Sequence, residues 1–506
     1  MDDRSIIRAV RSYRERLLSD PYRPGYHFAV PDDNGMPGDP NGCFYANGRH
    51  HLMYLYSRDE ANFRWGHVSS ADLLHWRHHP DALREFDFDR GCFSGGAFVD
   101  EDGKAYLSYW IVDREGANPP KGGAGIGLAV GFPPHFDVWE RLPAVIESTS
   151  WGIRVQDGEP IGCSDPSNIF KIDGVYYMQL GNLPVLNAYG RDPDSDERMR
   201  GDWVELFSST DLLNWQYEGR FYQRKTDNSW TDETEDDMCP SFLPLPASKE
   251  GDPPTDRWLQ LFISHNKGAQ YYIGTYANKR FHPITHGRMS WVDNTFFAPE
   301  AYIDGRGRQI MFSWLTDNIE GDFKKYGWSG VFSLPRVLWL AQDDSLGIAP
   351  APELEALRIN PQSFADIALD DGEHALALHY PASAEIRFRM RASEGRAGVK
   401  LRMGDQSVEI YFDRDENALI FDSTRCGPLG RPAVERAPLT LAEGEPLDLI
   451  VYTDKSVIEA FVNDRQAICR RAYPDSFDGM TVSLFTEGPA AFSSIRGWEM
   501  MPSFPY

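Results

Sequence analysis

The chain has no apolar run near the roughly 18 residues that a membrane helix needs. Its longest candidate, Gly125 to Phe132, is interrupted by glycines. Positive charge is scarce: 51 Lys and Arg stand against 76 Asp and Glu, a net charge of −25. Such a surface repels phosphate backbones and anionic lipid, which sets nucleic acid and membranes aside as partners. The six cysteines (Cys43, Cys92, Cys163, Cys239, Cys426, Cys469) are scattered singly, with no CxxC pair and no metal-type spacing. Neither a disulfide scaffold nor a zinc site is expected; free thiols in a cytoplasmic protein are. The N-terminus lacks the apolar segment of a secretory leader, and Ile6, Ile7, Val10, Leu17 and Leu18 recur at helical spacing, so residues 1–25 are expected to form a helical extension. No Asp-x-Asp-x-Asp-Gly calcium loop and no Gly-x-Ser-x-Gly elbow occurs. Neither a metal nor a cofactor is called for.

Aromatic residues, by contrast, are plentiful at 13%, which excludes a disordered chain. Many sit in a recurring unit: a short apolar strand, a Gly-containing turn, then an alternating strand. Copies begin at Phe44, Phe98, Ile169, Phe242 and Tyr302. Asn47-Gly48, Asp102-Gly103 and Asp173-Gly174 are hairpin turns whose two central residues are expected at positive φ. A second repeat, Ser69 to Trp76 against Ser208 to Trp215, shares a Ser-x-Asp-Leu-Leu-x-Trp pattern and is assigned to outer strands, its tryptophan packing between units. Five small antiparallel sheets predict an all-β, five-bladed β-propeller over residues 26–345, with two ordinary sandwiches as the competing architecture. A Pro-rich linker is expected at 346–361. Alternating strands without helices then predict a β-sandwich at 362–506.

Residues just before each innermost strand converge on one mouth of a propeller. They are Asp39-Pro40-Asn41-Gly42, Phe93-Ser94-Gly95-Gly96, Ser164-Asp165-Pro166-Ser167, Cys239-Pro240 and Ala298-Pro299-Glu300, with the acidic run Glu233 to Asp237 just upstream of Cys239. Asp39 and Asp165 are each compatible with a simple turn before proline. Together, and in phase with a third acidic cluster, they point to acid/base and nucleophilic chemistry. Cleaving a glycosidic bond needs a carboxylate pair and no cofactor. Trp65, Phe93 and Trp314 near the hairpin ends suit a sugar ring, and His265 is a candidate polar pocket residue.

These motifs, in this order, resemble glycoside hydrolase family 32, the invertase, levanase and inulinase group, from about residue 26 to 500. Asp39-Pro40-Asn41 looks like the nucleophile motif and Phe93-Ser94-Gly95 like the fructose-binding one. Asp165-Pro166 resembles the stabiliser motif, and Asp454 to Asn463 is similar to the signature of the sandwich. The resemblance implies a five-bladed propeller with a sandwich and retaining hydrolysis of β-fructofuranosides such as sucrose or short fructo-oligosaccharides. It makes Asp39 the nucleophile, Asp165 the transition-state stabiliser and Glu235 the acid/base, with Asn41, Trp65, Phe93, Ser94, Ser164, His265 and Trp314 binding substrate. The sequence departs from the pattern at Gly38 (usually Asn), at Ser164 (usually Arg) and at Met238 (usually Glu). Glu233, Asp236, Asp237 and Glu300 therefore stay open beside Glu235 as acid/base. Two other readings stay open as well: a related glycosidase acting on arabinose- or xylose-containing saccharides, and a non-catalytic fructan-binding protein.

Overall fold

The computed structural model describes residues 20–31, 34–57, 63–84, 91–111, 125–142, 145–149, 152–153, 164–182, 203–222, 229–251, 253–319 and 326–503. The expected N-terminal helix falls almost wholly outside them. The chain divides into two compact units.

One unit is a five-bladed β-propeller. Blade one runs Pro40–Ala46, Arg49–Ser57, Phe63–Ser70 and Arg77–Leu83, each strand antiparallel to the next. Blade two is built on Ala97–Val99, Ala105–Ile111 and Gly125–Gly131, with short additions outside them. Blade three runs Phe170–Ile172, Val175–Leu180, Glu205–Ser209 and Gln216–Arg220. Blade four runs Met238–Pro246, Pro254–Ser264, Gly268–Ala277 and Arg280–Arg288. Blade five runs Phe296–Ile303, Gln309–Leu315, Arg336–Leu340 and Leu346–Pro350. The innermost strands of blades one and five touch, which closes the ring.

The turns follow their residues. Asn47 and Gly48 (φ 51° and 76°) and Asp173 and Gly174 (φ 51° and 78°) hold both central positions of a tight hairpin in the left-handed region. Asp102-Gly103 does not: only Gly103 has positive φ (81°), within a longer loop closed by Asp100 N–H on the Lys104 carbonyl at 2.9 Å. The Ser-x-Asp-Leu-Leu-x-Trp repeat is an Asx-type turn joining the third and fourth strands. Asp72 Oδ1 accepts from the N–H groups of Leu74 and His75 at 3.0 and 2.9 Å, and Asp211 Oδ1 from Leu213 and Asn214 at 2.9 and 2.8 Å. Trp76 meets Phe312 of blade five edge-on, at a ring separation of 6.0 Å.

The other unit is the β-sandwich. Its strands join into one eleven-stranded sheet because the long strand Thr481–Met500 pairs with Arg396–Met403 through its first half and with Ser383–Ala392 along the rest. Arg358–Ser363 and Ile367–Leu376 pair with the same strand. The domain limits differ from the expectation. Leu346–Pro350 is not linker but the outer strand of blade five, followed by the 3₁₀ turn Pro352–Leu357. Residues 20–31, 317–319 and 326–334 group with the sandwich, so the chain leaves the propeller between the second and third strands of blade five and then returns. The cause lies in pairing partners that no local pattern names. Ala29 bridges Val331, and the Val30 N–H donates to the Gly330 carbonyl at 2.8 Å.

Candidate active site

The innermost strands do not run straight. In blades one, four and five the register slips between Asn41 and Phe44, between Met238 and Ser241, and between Phe297 and Glu300. Each slip carries a residue at positive φ: Gly42 (50°), Cys239 (48°) and Ala298 (46°). Such bulges re-aim the side chains beside them, and two of the three impose left-handed backbone on a residue with a Cβ, a strain that the surrounding structure must hold.

Hydrogen bonds stitch these strands to one another. The Gly42 N–H donates to the Gly95 carbonyl and the Gly95 N–H to Asn41 Oδ1, both at 3.3 Å. Ser108 Oγ donates to the Ser167 carbonyl at 2.7 Å. Asn168 exchanges two bonds with the backbone of Phe242, at 3.0 and 2.8 Å. The paired glycines after Ser94 are required by close approach: a Cβ on Gly95 would lie 2.0 Å from the Ser108 carbonyl oxygen, and one on Gly96 would lie 2.3 Å from the Asn168 nitrogen.

This lattice holds a buried acidic centre. Ser94 Oγ donates to Asp39 Oδ2 at 2.5 Å, while Oδ1 of Asp39 has no hydrogen-bond partner among the described residues. Burial pushes the Asp39 pKa up to about 6, against the Ser94 hydrogen bond and the charge of His265. Asp165 is pushed up to about 7 by burial and by the charge of Asp39, opposed by His265 and by hydrogen bonds from Cys239. The two carboxylates thus share one low-dielectric pocket, and near pH 6–7 the pair retains protons that ordinary carboxylates would have lost. Glu300 stands near Cys239; burial raises its pKa well above the usual range despite a bond from the Cys43 backbone. Its Oε1 and the Asn41 Nδ2 are also buried without partners among the described residues. Buried polar atoms left open in this way mark a place where a polar ligand can bind.

The acidic run of blade four divides its members. Glu235 is 0% exposed. Lys267 Nζ donates to its Oε1 at 2.5 Å, Gln270 Nε2 donates to Oε2 at 2.8 Å, and Ser264 Oγ donates to Oε2 as well. These partners lie on, or on the turn between, the second and third strands, outward from the innermost strand. Asp236 bonds a different residue of the same turn, His265. Its Oδ2 accepts from the backbone N–H of His265 at 3.3 Å and bonds His265 Nδ1 at 3.1 Å. Burial disfavours charge on His265, yet the bond and charge of Asp236, with the charges of Asp165 and Asp39, leave its pKa raised. The histidine ring meets Phe297 edge-on at 5.6 Å, and Phe297 meets Trp314 edge-on at 5.9 Å.

Of the residues expected at the site, Asp39, Asp165 and His265 are brought together by charge, and Ser94 and Asn41 join them by hydrogen bonds. Phe93 is half-buried against Phe63 and Trp110. Three placements differ from the sequence reading. Trp65 is fully buried in the core between blades one and two, where its Nε1 donates to the Phe93 carbonyl at 3.0 Å; it supports the site and offers no face to a sugar. Ser164 is also fully buried, its hydroxyl on the Met238 sulfur at 2.7 Å. Two departures from the family pattern therefore meet as one buried Ser–Met contact. Trp314 is buried, edge-on to the equally buried Phe297. The reading missed Phe297 and the pairing of Asp236 with His265. The only available signal was the position of Phe297 beside the Ala298-Pro299 bulge. Among the described residues no three His, Cys, Asp or Glu side chains are grouped so as to hold a metal ion, and no helix is long and apolar enough to cross a membrane.

The chain matches the Glycosyl hydrolases family 32 N-terminal domain over residues 27–121 and 157–350, and the Glycosyl hydrolases family 32 C terminal over residues 353–499. It belongs to glycosyl hydrolase family 32. This family-32 chain is 27% identical to a sucrose-6-phosphate hydrolase of Zymomonas mobilis, across 96% of this chain and 94% of that one. It is 25% identical to a levanase of Bacillus subtilis, across 90% of this chain and 67% of the levanase. In structure it superposes on fructan 1-exohydrolase IIa of Cichorium intybus with a TM-score of 0.79 at 22% identity, covering 95% of this chain and 98% of the chicory chain. That likeness establishes the propeller-plus-sandwich fold.

Proposed function

We propose that the chain hydrolyses terminal β-D-fructofuranosides, sucrose or short fructo-oligosaccharides, with retention of configuration. The observation that carries this reading is the buried Asp39–Asp165 pair, with one oxygen of Asp39 held by Ser94 and the other open. Oδ1 of Asp39 attacks the anomeric carbon and forms a fructosyl ester. Asp165 binds fructose hydroxyls and offsets the positive charge that builds on the ring in the oxocarbenium-like transition state. Asn41 and Glu300 receive further hydroxyls, and Phe93 the C–H face of the ring. The similarity to a sucrose-6-phosphate hydrolase, a levanase and a fructan 1-exohydrolase supports a fructose-containing substrate. No observation favours the arabinose, xylose or purely binding alternatives. The free cysteines Cys43, Cys92, Cys239, Cys426 and Cys469 accord with a reducing, cytoplasmic location. The test is sugar release from sucrose, inulin, levan and arabino-oligosaccharides. Free fructose from at least one of the first three is expected. Pentose release alone, or no release from any, would overturn the reading.

A further inference from the structure

A retaining mechanism needs a third group that gives a proton to the leaving oxygen and later takes one from water. That group must reach the reacting oxygen within hydrogen-bond distance, directly or through one water. Asp39 and Asp165 are committed to the fructosyl ring. Both carboxylate oxygens of Glu235 are occupied by Lys267, Gln270 and Ser264, and the residue is 0% exposed. Met238, directly before Cys239, carries a thioether, which has no proton to give, and its sulfur is taken by Ser164. His265 is different. Its side chain is 43% exposed, Nδ1 is fixed by Asp236, and Nε2 has no hydrogen-bond partner among the described residues. Its backbone is pinned too, by its N–H on Asp236 at 3.3 Å and by Asn294 Nδ2 on its carbonyl at 2.7 Å. Phe297 braces the ring from the side.

We propose that His265, oriented by Asp236, is the acid/base of this enzyme. In the first step Asp39 Oδ1 bonds to the anomeric carbon as the bond from that carbon to the leaving oxygen breaks. The electron pair stays on that oxygen, which takes the Nε2 proton of the imidazolium. In the second step a water oxygen bonds to the anomeric carbon and its proton passes to neutral Nε2. The Asp39 ester bond breaks as that bond forms, its electron pair leaving with the regenerated carboxylate. Asp236 is a positioning residue: it bonds Nδ1 and directs Nε2 to the substrate, the arrangement by which a carboxylate selects a histidine tautomer. The carboxylates that act on the ring are Asp236, Asp165 and Asp39, all of which favour the imidazolium. The nearby Lys267 is paired with Glu235 and Asp232.

The inference rests on the fructoside reading, and its test separates the two. Wild-type turnover of sucrose and of an aryl β-fructofuranoside with a good leaving group checks the reading. The ratio of the two rates in variants checks the acid. His265→Gln is expected to lose about 100-fold or more on sucrose and far less on the aryl fructoside, which departs without a proton, and added imidazole should restore part of the loss. Glu235→Gln is expected to reduce both substrates in equal proportion. Equal losses in His265→Gln, or a selective loss in Glu235→Gln, would overturn the assignment. If His265→Gln does not fold, Asp236→Asn decides. It should move the alkaline limb of kcat/KM to lower pH, because the anion nearest the imidazolium is gone, and an unmoved limb would contradict the proposal.

Discussion

Asp39 and Asp165 are costly residues. A buried carboxylate whose folded-state pKa lies above its unfolded value binds more protons folded than unfolded. Its stabilising contribution is complete below the unfolded pKa of 3.8 and is lost as pH rises through about 6 for Asp39 and about 7 for Asp165. Above pH 7 both are ionised in a pocket that disfavours the charge. Asp39→Asn and Asp165→Asn should therefore raise the melting temperature at pH 8, by on the order of 1–3 kcal/mol each in stability, and the gain should shrink toward pH 5. Turnover should fall by about three orders of magnitude or more. Calorimetry at the two pH values, with fructose release on the same samples, checks both parts. Unchanged stability at pH 8 would mean that neither carboxylate is strained in the resting protein. The two aspartates were legible in the sequence because each stands before a proline, in phase with its blade. Glu235 and Asp236 were not separable there: both bond residues of the turn between the second and third strands of blade four, and only the folded backbone decides which one meets His265. Trp65 and Ser164 were misplaced for a similar reason. Proximity to a hairpin end says nothing of the side of the sheet on which a residue lies.

The three bulged inner strands and the glycine pair after Ser94 form the element that aims the site. Gly95→Ala tests it. The added methyl would stand 2.0 Å from a backbone carbonyl in the middle of the inter-blade stitching, where nothing flexible can yield. The expected result is a melting temperature lower by several degrees and a loss of activity beyond what the stability change explains, since Ser94 would release Asp39. Gly174→Ala is the control. Nothing lies within 4 Å of its Cβ, and its φ of 78° alone should cost about 1 kcal/mol, with turnover retained. Equal effects at both positions would show that the close approach at Gly95 is relaxed in solution. The hairpins that carry these strands were readable from Asn47-Gly48 and Asp173-Gly174, whose chemistry is local. The bulges were not, because Cys239 and Ala298 hold a backbone conformation that tertiary packing imposes and composition does not favour.

At the scale of the whole molecule, the repeat of short hairpins was sufficient for a five-bladed propeller, and alternation was sufficient for the sandwich. The chain's excursion out of blade five was invisible, because strand association across distant segments leaves no local pattern. The sandwich signature Asp454 to Asn463 acquires a physical meaning within its own unit. Asp454 accepts from the N–H groups of Gly25, Tyr26 and His27 at 2.6, 2.8 and 2.8 Å and bonds His27 Nδ1 at 2.9 Å, while Glu459 bonds His27 Nε2 at 3.2 Å and accepts from the Leu334 N–H at 2.7 Å. Burial opposes the His27 charge, but these two carboxylates leave its pKa raised. Asp454→Ala removes one of the two carboxylates that bond the buried His27 and the acceptor of three N–H groups. It should destabilise the sandwich unit by about 3–5 kcal/mol, seen in calorimetry as an earlier transition. A variant that melts like the wild type would leave the signature without this role.

The central claim is that a fructosyl group is carried by Asp39. Rapid acid quenching of the wild type during turnover of an aryl β-fructofuranoside, followed by peptic digestion and mass spectrometry, observes that bond directly. One hexosyl unit should appear on the peptide containing Asp39, and Asp39→Asn should show none. A label on another residue, or none while turnover proceeds at a rate that would populate the ester, would contradict the account.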